Sequence, residues 1–303
     1  MMNSLAYFTR PLATVAPRDL LLQQCLGAKA SDAVLEVGTG SGSSLFRFAD
    51  SVAAYHGIDI SPGPVDRLRR AVARRRRPFP DIELFALDFC QPNAAAKLQR
   101  RYDLVFSCDT LEHVQDPQTF IHNVYAALKP GGRALITYPN EHPSYAHGIT
   151  YFERRADVQQ LFTNAGFSAR DLQIDALQMT TAADRALTVG WRWPQGLAKA
   201  ALRRLMTRQD RSAAPQTFDE TDFFALADRL EPLAPLINAY CWLVLRAMGA
   251  LGPAYRTVSA AETIWHTRLL IRAARPAAVI MKSRGMAEQE LPSRSRLFGA
   301  LPT

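Results

Sequence analysis

Apolar and polar positions alternate in short blocks between residues 30 and 180. "DAVLEVG" (32–38), "AAYHGIDIS" (53–61), "DIELFALDF" (81–89), "RYDLVFSCDTLEHV" (101–114) and "RALITYP" (133–139) are apolar runs of strand length, the fourth running on into a loop. Helical spacing fills the gaps. Leu45, Phe46, Phe48 and Ala49 mark a helix after the first run, and "PVDRLRRAVARRRR" (64–77) reads as another after the second. "DPQTFIHNVYAALKPGG" (116–132) opens with Pro117, lines one face with Phe120, Val124, Ala127 and Leu128, and stops at glycine. "RRADVQQLFTNAGF" (154–167) repeats the amphipathic pattern, and "SARDLQIDALQ" (168–178) returns to strand. Upstream, "PRDLLLQQCLGAK" (17–29) predicts a helix starting at Pro17.

Strands alternating with helices at this spacing imply right-handed crossovers and an α/β doubly wound sheet, seven-stranded and mostly parallel. Ligands of such sheets bind outside the carboxyl ends of the strands. Past residue 180 the alternation stops. Residues 180–275 carry long helix-like patterns broken by Pro194, Pro215, Pro232, Pro235 and Pro253, and "AAVIMKSRG" (277–285) reads as a final strand. The expected organisation is therefore a helical cap (1–30), a core (31–179), a helical insertion on the substrate side (180–275), the last strand of the core (276–285) and a flexible tail (286–303).

Composition narrows the picture modestly. Hydrophobic residues make up 48% of the 303, enough for a substantial core, and the net charge is +8. The charge is compatible with an anionic partner and does not select one. The cysteines Cys25, Cys90, Cys108 and Cys241 include no CxxC pair, which disfavours a zinc ribbon or a thioredoxin-like site. The amino terminus lacks a basic start followed by an apolar stretch, so a cytoplasmic setting is expected. "LAPLINAYCWLVLRAMGALG" (233–252) is nearly long enough to span a bilayer, but Asn238 and Arg246 interrupt it. A buried helix is the first reading, an interfacial helix the second and a span the third.

The first candidate chemistry is "VLEVGTGSGSS" (34–44), where an apolar run turns abruptly into Gly38, Gly40 and Gly42. Glycines here let backbone N–H groups approach a ligand that a Cβ would block. Dinucleotides and S-adenosylmethionine both use such turns. A dinucleotide turn prefers G-x-G-x-x-G, and its third glycine is replaced here by Ser43, giving G-x-G-x-G with Glu36 two residues ahead.

With the later motifs added, the chain resembles the class I S-adenosylmethionine-dependent methyltransferases, in the quinone-biosynthesis-like branch that acts on small molecules. The resemblance covers roughly residues 30–178 and, more weakly, 277–285. It rests on "VLEVGTGSG", on "GIDIS" ending the second strand, on "ALDF" ending the third, and on "FSCDTLEHVQDP" followed by "LKPGG". It implies S-adenosyl-L-methionine as methyl donor, S-adenosyl-L-homocysteine as product and no metal. It also implies a cofactor-binding set of Glu36, Gly38, Thr39, Gly40, Gly42, Asp59, Ile60, Asp88, Phe89, Cys108 and Asp109. In that set Asp59 would accept from both ribose hydroxyls, Asp88 would sit near the adenine edge with Phe89 beside the ring, and Glu36 would support the turn or the cofactor's amino group.

Methyl transfer from a sulfonium asks the protein mainly to align donor and acceptor and to exclude water. A hydroxyl acceptor would also use a base, for which His113, His142 and His147 are the catalytic candidates and Asp109 a further one. The loop after the fifth strand (138–155) is dense in polar and aromatic residues, and Tyr138, Asn140 and Tyr151 are its expected substrate contacts. "SCDT" replaces the Asn/Asp-Pro-Pro-Tyr/Phe motif of amino-methylating enzymes, Cys108 follows Ser107 where a cytosine-C5 enzyme needs Pro-Cys, and no Asp-Asn pair serves a catechol-type metal. The arginine run 67–77 has no interleaved aromatics, which disfavours nucleic acid. Trp191, Trp193, Phe218, Phe223, Phe224, Trp242 and Trp265 make the insertion aromatic and favour a hydrophobic small-molecule acceptor. Peripheral membrane contact through the insertion, with a lipid or polyprenyl acceptor, is the alternative, and an RNA-binding methyltransferase the next. Nothing in the pattern selects an oligomeric state.

Overall fold

The computed structural model describes residues 25–40, 42–73, 81–140, 148–194, 196–197, 234–258, 264 and 267–277. They fall into two compact units. The sheet unit takes in described residues of Gln23–Gly40, Phe48–Gln178 and Thr257–Thr303, and the helical unit those of Ser41–Arg47 and Met179–Arg256. The expected cap, 1–30, lies almost wholly outside the described residues, and so does the tail.

Strands β1 (Ala33–Val37), β2 (Ala54–Asp59), β3 (Ile82–Ala86), β4 (Tyr102–Cys108), β5 (Leu128–Asn140), β6 (Leu172–Met179), β7 (Tyr255–Thr257) and β8 (Thr267–Ala274) form one sheet in the order β3-β2-β1-β4-β5-β8-β6-β7. The first five run parallel, with Leu35 beside His56 on one flank and Val105 on the other. β8 runs antiparallel to both β5 and β6, setting Ile271 opposite Ile136 and Ile174. Helices α1 (Ser43–Phe48), α2 (Pro62–Ala73), α3 (Pro117–Ala127) and α4 (Arg155–Asn164) follow β1, β2, β4 and β5. β1 and β4 are buried almost throughout, as continuous apolar runs in a sheet covered on both faces must be. Leu35, Val105, Phe120, Val124, Ile136 and Phe162 belong to one core cluster.

Expectations change first in the sheet and second in one helix. The strand beside β5 is β8, not 276–285, and the sheet has eight strands rather than seven. Residues 278–285 lie outside the described residues, and the expected helical block gives up 255–257 and 267–274 to strands. Charge hid β8. In "TRLLIRAA" Arg268 and Arg272 sit four apart and read as one face of a helix. The structure instead buries Arg272 to 2% exposure by pairing its Nη1 with Asp175 Oδ2 on neighbouring β6 at 2.7 Å. A charge is tolerated in a sheet interior only when paired in this way. The second change is that α3 stops at Ala127 and "LKPGG" opens β5, because a residue before proline avoids the helical region. Backbone bonds of 2.9 Å from Gly131 N to Arg275 O and from Arg275 N to Gly132 O extend the β5–β8 pairing there.

In the helical unit, Thr180 caps α5 (Thr181–Leu187), and a π-turn continues it over Thr188–Arg192. Thr180 is itself tied to the loop before β7, with its N–H on Ala254 O at 2.9 Å and its Oγ1 on Pro253 O at 3.0 Å. α6 (Ala234–Ala250) buries Val244 and Met248, one turn apart, and exposes Leu243 and Arg246. Among its described side chains, the segment expected to be a buried helix is exposed apart from Val244 and Met248. No helix among the described residues is long and apolar enough to cross a membrane. Trp193 is exposed, and the other aromatic side chains named for the insertion lie outside the described set.

Candidate active site

At the carboxyl edge of the sheet lie the glycine turn after β1, the acid that ends β2 and those that follow β3 and β4. After β1 the chain turns through Gly38, Gly40 and Gly42 at φ +85°, +50° and +78°, a region costly for any residue with a Cβ. Gly38 and Thr39 both donate their N–H to Ile58 O at the end of β2, at 2.8 and 3.0 Å. Asp59, next in line, accepts the Gly40 N–H on Oδ2 at 2.8 Å and the Ser61 N–H on Oδ1 at 3.0 Å. The turn is thus stitched to β2 by backbone and carboxylate together. At Gly38 a Cβ would lie 2.8 Å from Thr110 Cγ2, 2.9 Å from Thr110 Cβ and closer still to its hydroxyl. Thr110 also bridges two strand ends, with Oγ1 3.2 Å from Cys108 O and 3.5 Å from Val37 O. Gly57 on β2 is required as well: a Cβ there would lie 2.8 Å from Leu84 Cδ2 and overlap Thr39 Cγ2.

This arrangement can be tested against a ribose diol. A carboxylate has about four lone-pair directions. The backbone bonds from Gly40 N and Ser61 N to Asp59 use one such direction on each oxygen, and each oxygen keeps capacity for a hydroxyl donor. Ile60 beside it is 66% exposed, an uncovered apolar side chain next to the carboxylate. The donor set fits.

The other expected cofactor residues divide. Asp88 closes a turn after β3, accepting from Cys90 N and Gln91 Nε2, each at 2.9 Å, and these bonds hold its carboxyl below the usual range. Burial, with Asp88 adding to it, pushes the Cys90 thiol up to about 11. Phe89 does not flank an open site. It is 4% exposed and packs edge-on against Phe120 at 5.9 Å, because the turn directs its ring into the core. Glu36 is buried within the sheet and accepts the Tyr55 hydroxyl at 2.7 Å, an anchor inside the fold. The Cys108 side chain is likewise buried.

Beyond β4, Asp109 adopts φ +53° and pairs with Arg268 Nη1 from the start of β8. The next turn (Leu111–His113) leaves His113 exposed, its Nε2 3.8 Å from Glu112 Oε1, while Glu112 is buried. The Glu112 carbonyl accepts from Ile149 N at 2.6 Å and Thr150 N at 3.0 Å, and Gly148 packs so closely that a Cβ would lie 2.7 Å from Glu112 Cβ. The post-β5 segment is thereby fastened to the post-β4 turn.

Of the expected substrate contacts, Asn140 and Tyr138 face the interior. Asn140 is fully buried and spends its amide on backbone: Nδ2 donates to Phe152 O at 2.8 Å and Ile264 O at 2.9 Å, and Oδ1 accepts from Phe152 N at 2.9 Å. It is a clamp that the polar letter of the residue could not reveal. Tyr138 is also fully buried, edge-on to Phe152 at 6.4 Å, and burial, followed by the Glu112 charge, raises its phenol well above the ordinary value. Tyr151 remains 40% exposed. His142 and His147 lie outside the described residues. Among the described residues, no three His, Cys, Asp or Glu side chains converge as metal ligands would. Sequence reasoning missed Arg268, Thr110, Gly57, Glu112 and Gly148. Gly57, Thr110 and Glu112 lie within the quoted motifs "GIDIS" and "FSCDTLEHVQDP", while Arg268 and Gly148 carried no local signal.

Strand order, the antiparallel β8 wedged between β5 and β6, the glycine turn after β1 and the acids after β2 and β3 together define a class I methyltransferase arrangement. Residues 12–176 match the family model described as "Methyltransferase domain", and the chain belongs to that family. It is similar to the ubiquinone biosynthesis O-methyltransferase of Alkalilimnicola ehrlichii, 30% identical over 142 residues, covering 46% of this chain and 56% of that protein. The ubiquinone biosynthesis O-methyltransferase of Azotobacter vinelandii is 32% identical over 114 residues, covering 38% and 47%. Phosphoethanolamine N-methyltransferase 1 of Triticum aestivum is 33% identical over 114 residues, covering 37% and 22%. The chain thus spans about half the length of the first two relatives.

Proposed function

We propose that the protein transfers the methyl group of S-adenosylmethionine to an oxygen of a hydrophobic small molecule. The observation that carries the reading is the Asp59 carboxylate, tied to the glycine turn through Gly40 N and retaining acceptor capacity on both oxygens. A neutral side chain there could cap the turn; a carboxylate also suits a vicinal diol, because it accepts from two hydroxyls without having to donate. Ile60 offers an apolar surface beside it, and Asp88 lies at the end of the next strand. The family supports methyl transfer, and the O-methyltransferase names of two relatives support oxygen as the acceptor atom.

The sulfonium supplies an activated methyl, and the rest of the task is alignment. Fastening Ile149 and Thr150 to the Glu112 carbonyl fixes the start of the acceptor side against the post-β4 turn. In this reading His113, exposed on that turn, is the candidate to take a hydroxyl proton. The test is incubation of the purified protein with methyl-labelled S-adenosylmethionine and a panel of phenols, catechols and amines, with and without an isoprenoid tail. Label recovered in an ether of a hydroxylated aromatic is the expected result. Label recovered only in methylated amines would overturn the oxygen assignment.

A further inference from the structure

We infer that Arg268, remote in sequence from every cofactor motif, is a positioning residue for the glycine turn, acting through Asp109 and Thr110. The inference rests on the cofactor reading above.

Asp109 is one of two non-glycine residues with positive φ among the described residues. Positive φ is uncommon for a non-glycine residue, though Asp adopts it more readily than most. Two contacts favour it here. The Asp109 N–H donates to Thr137 O on β5 at 2.9 Å, which fixes the entry to the turn. Its carboxylate is gripped by Arg268 Nη1, and both side chains are close to 10% exposed (11% and 12%). Arg268 can reach across because β8 is antiparallel: its first residues lie at the carboxyl edge, where β5 ends, with Arg268 in register with Pro139.

The reversal at Asp109 sets where Thr110 goes. Its hydroxyl meets the last carbonyls of β4 and β1, and its side chain occupies the space a Cβ on Gly38 would need. Gly38 begins the turn whose Gly40 N–H rests on Asp59. The path Arg268–Asp109–Thr110–Gly38 is therefore a run of direct contacts. Releasing the first should let the reversal relax toward an ordinary extended backbone and withdraw the support under the turn.

The prediction separates this role from a generally structural one. Arg268→Met should bind S-adenosylhomocysteine about tenfold or more weakly, and Arg268→Lys, which keeps the charge, should recover part of that loss. Without any ligand, amide hydrogen exchange at Gly38, Thr39 and Gly40 should quicken at least tenfold in Arg268→Met, while the β1–β2 amides stay as protected as in the parent. Glycine accepts positive φ without a side-chain grip, so Asp109→Gly placed in the Arg268→Met chain should restore protection at 38–40. Unchanged exchange there in Arg268→Met, equal loosening across β1 and β2, or no recovery in the double variant would each overturn the inference. If Arg268→Met does not fold, the exchange comparison is made on Arg268→Lys, where unaltered protection at 38–40 would overturn it. Failure of the parent protein to bind S-adenosylhomocysteine would overturn the cofactor reading, and the ligand-free exchange would still decide whether the clamp exists.

Discussion

Replacing Gly38 with alanine should damage cofactor binding far more than folding. The residue sits at φ +85°, and holding an L-residue in left-handed backbone costs about 1–2 kcal/mol. The new methyl would also lie 2.8 and 2.9 Å from two Thr110 carbons, where carbon atoms prefer about 3.5–4.0 Å. The neighbours must part by most of an ångström. Thr110 is held at both strand ends, so the turn should give way. At about 1.4 kcal/mol per tenfold in affinity, the backbone strain and the added displacement correspond to roughly one to two decades. Titration calorimetry with S-adenosylhomocysteine should show a loss of roughly ten- to a hundredfold. Thr110→Ala removes the hydroxyl and Cγ2 and leaves Cβ, so the double variant should regain part of the affinity lost by Gly38→Ala alone. Binding by Gly38→Ala within twofold of the parent, or a double variant as weak as the sum of the two single losses, would refute the packing argument.

Two further outcomes follow from buried polar groups. Asn140→Ala should leave a buried N–H and two carbonyls without their partner, costing about 2–4 kcal/mol. A thermal melt followed by circular dichroism should then fall by roughly 5–15 °C, and an unchanged midpoint would show that Asn140 is no clamp. His56 is buried on β2, with Tyr102 Oη 2.9 Å from its Nδ1, Asp81 and Glu83 at 3.6 and 3.7 Å, and Arg100 nearby. Burial outweighs the two carboxylates and holds its imidazole below the ordinary value. The unfolded chain then takes up a proton that the fold resists, so this contribution to stability is full above about pH 6.5 and declines as pH falls below it, by at most about 1.4 kcal/mol per pH unit. Denaturant melts of His56→Gln should show a shallower pH dependence between pH 5 and 7, and an identical slope would contradict the assignment.

Much of this architecture was legible in the chain because its signals are local. β1 and β4 are apolar runs, α3 announces itself with Asp116 and Pro117, and the glycine turn needs conformations few other residues adopt. What escaped depends on contacts between distant segments. β8 was unreadable because Arg272 looks like a surface residue until Asp175, 97 positions away, is placed beside it. Asn140 and Tyr138 looked like ligand contacts because polar and aromatic letters in a loop suggest recognition, yet the fold turns both inward. Phe89 failed because its place beside the ring followed from the resemblance, while the direction of its side chain depends on Phe120. Arg268 carried no signal, since its role exists only where an antiparallel strand returns to the carboxyl edge.

The central claim is that the turn and Asp59 hold S-adenosylmethionine for methyl transfer, and one comparison tests it directly. Parent protein and Asp59→Ala would be titrated by calorimetry with S-adenosylhomocysteine and, in parallel, with NAD. Losing two charge-assisted hydrogen bonds, each worth about 1.5–3 kcal/mol, should weaken S-adenosylhomocysteine binding at least tenfold while the melting transition stays cooperative. The parent should bind S-adenosylhomocysteine in the micromolar range and show no heat with NAD. Tight NAD binding by the parent, or equal S-adenosylhomocysteine affinity in parent and variant, would contradict the account.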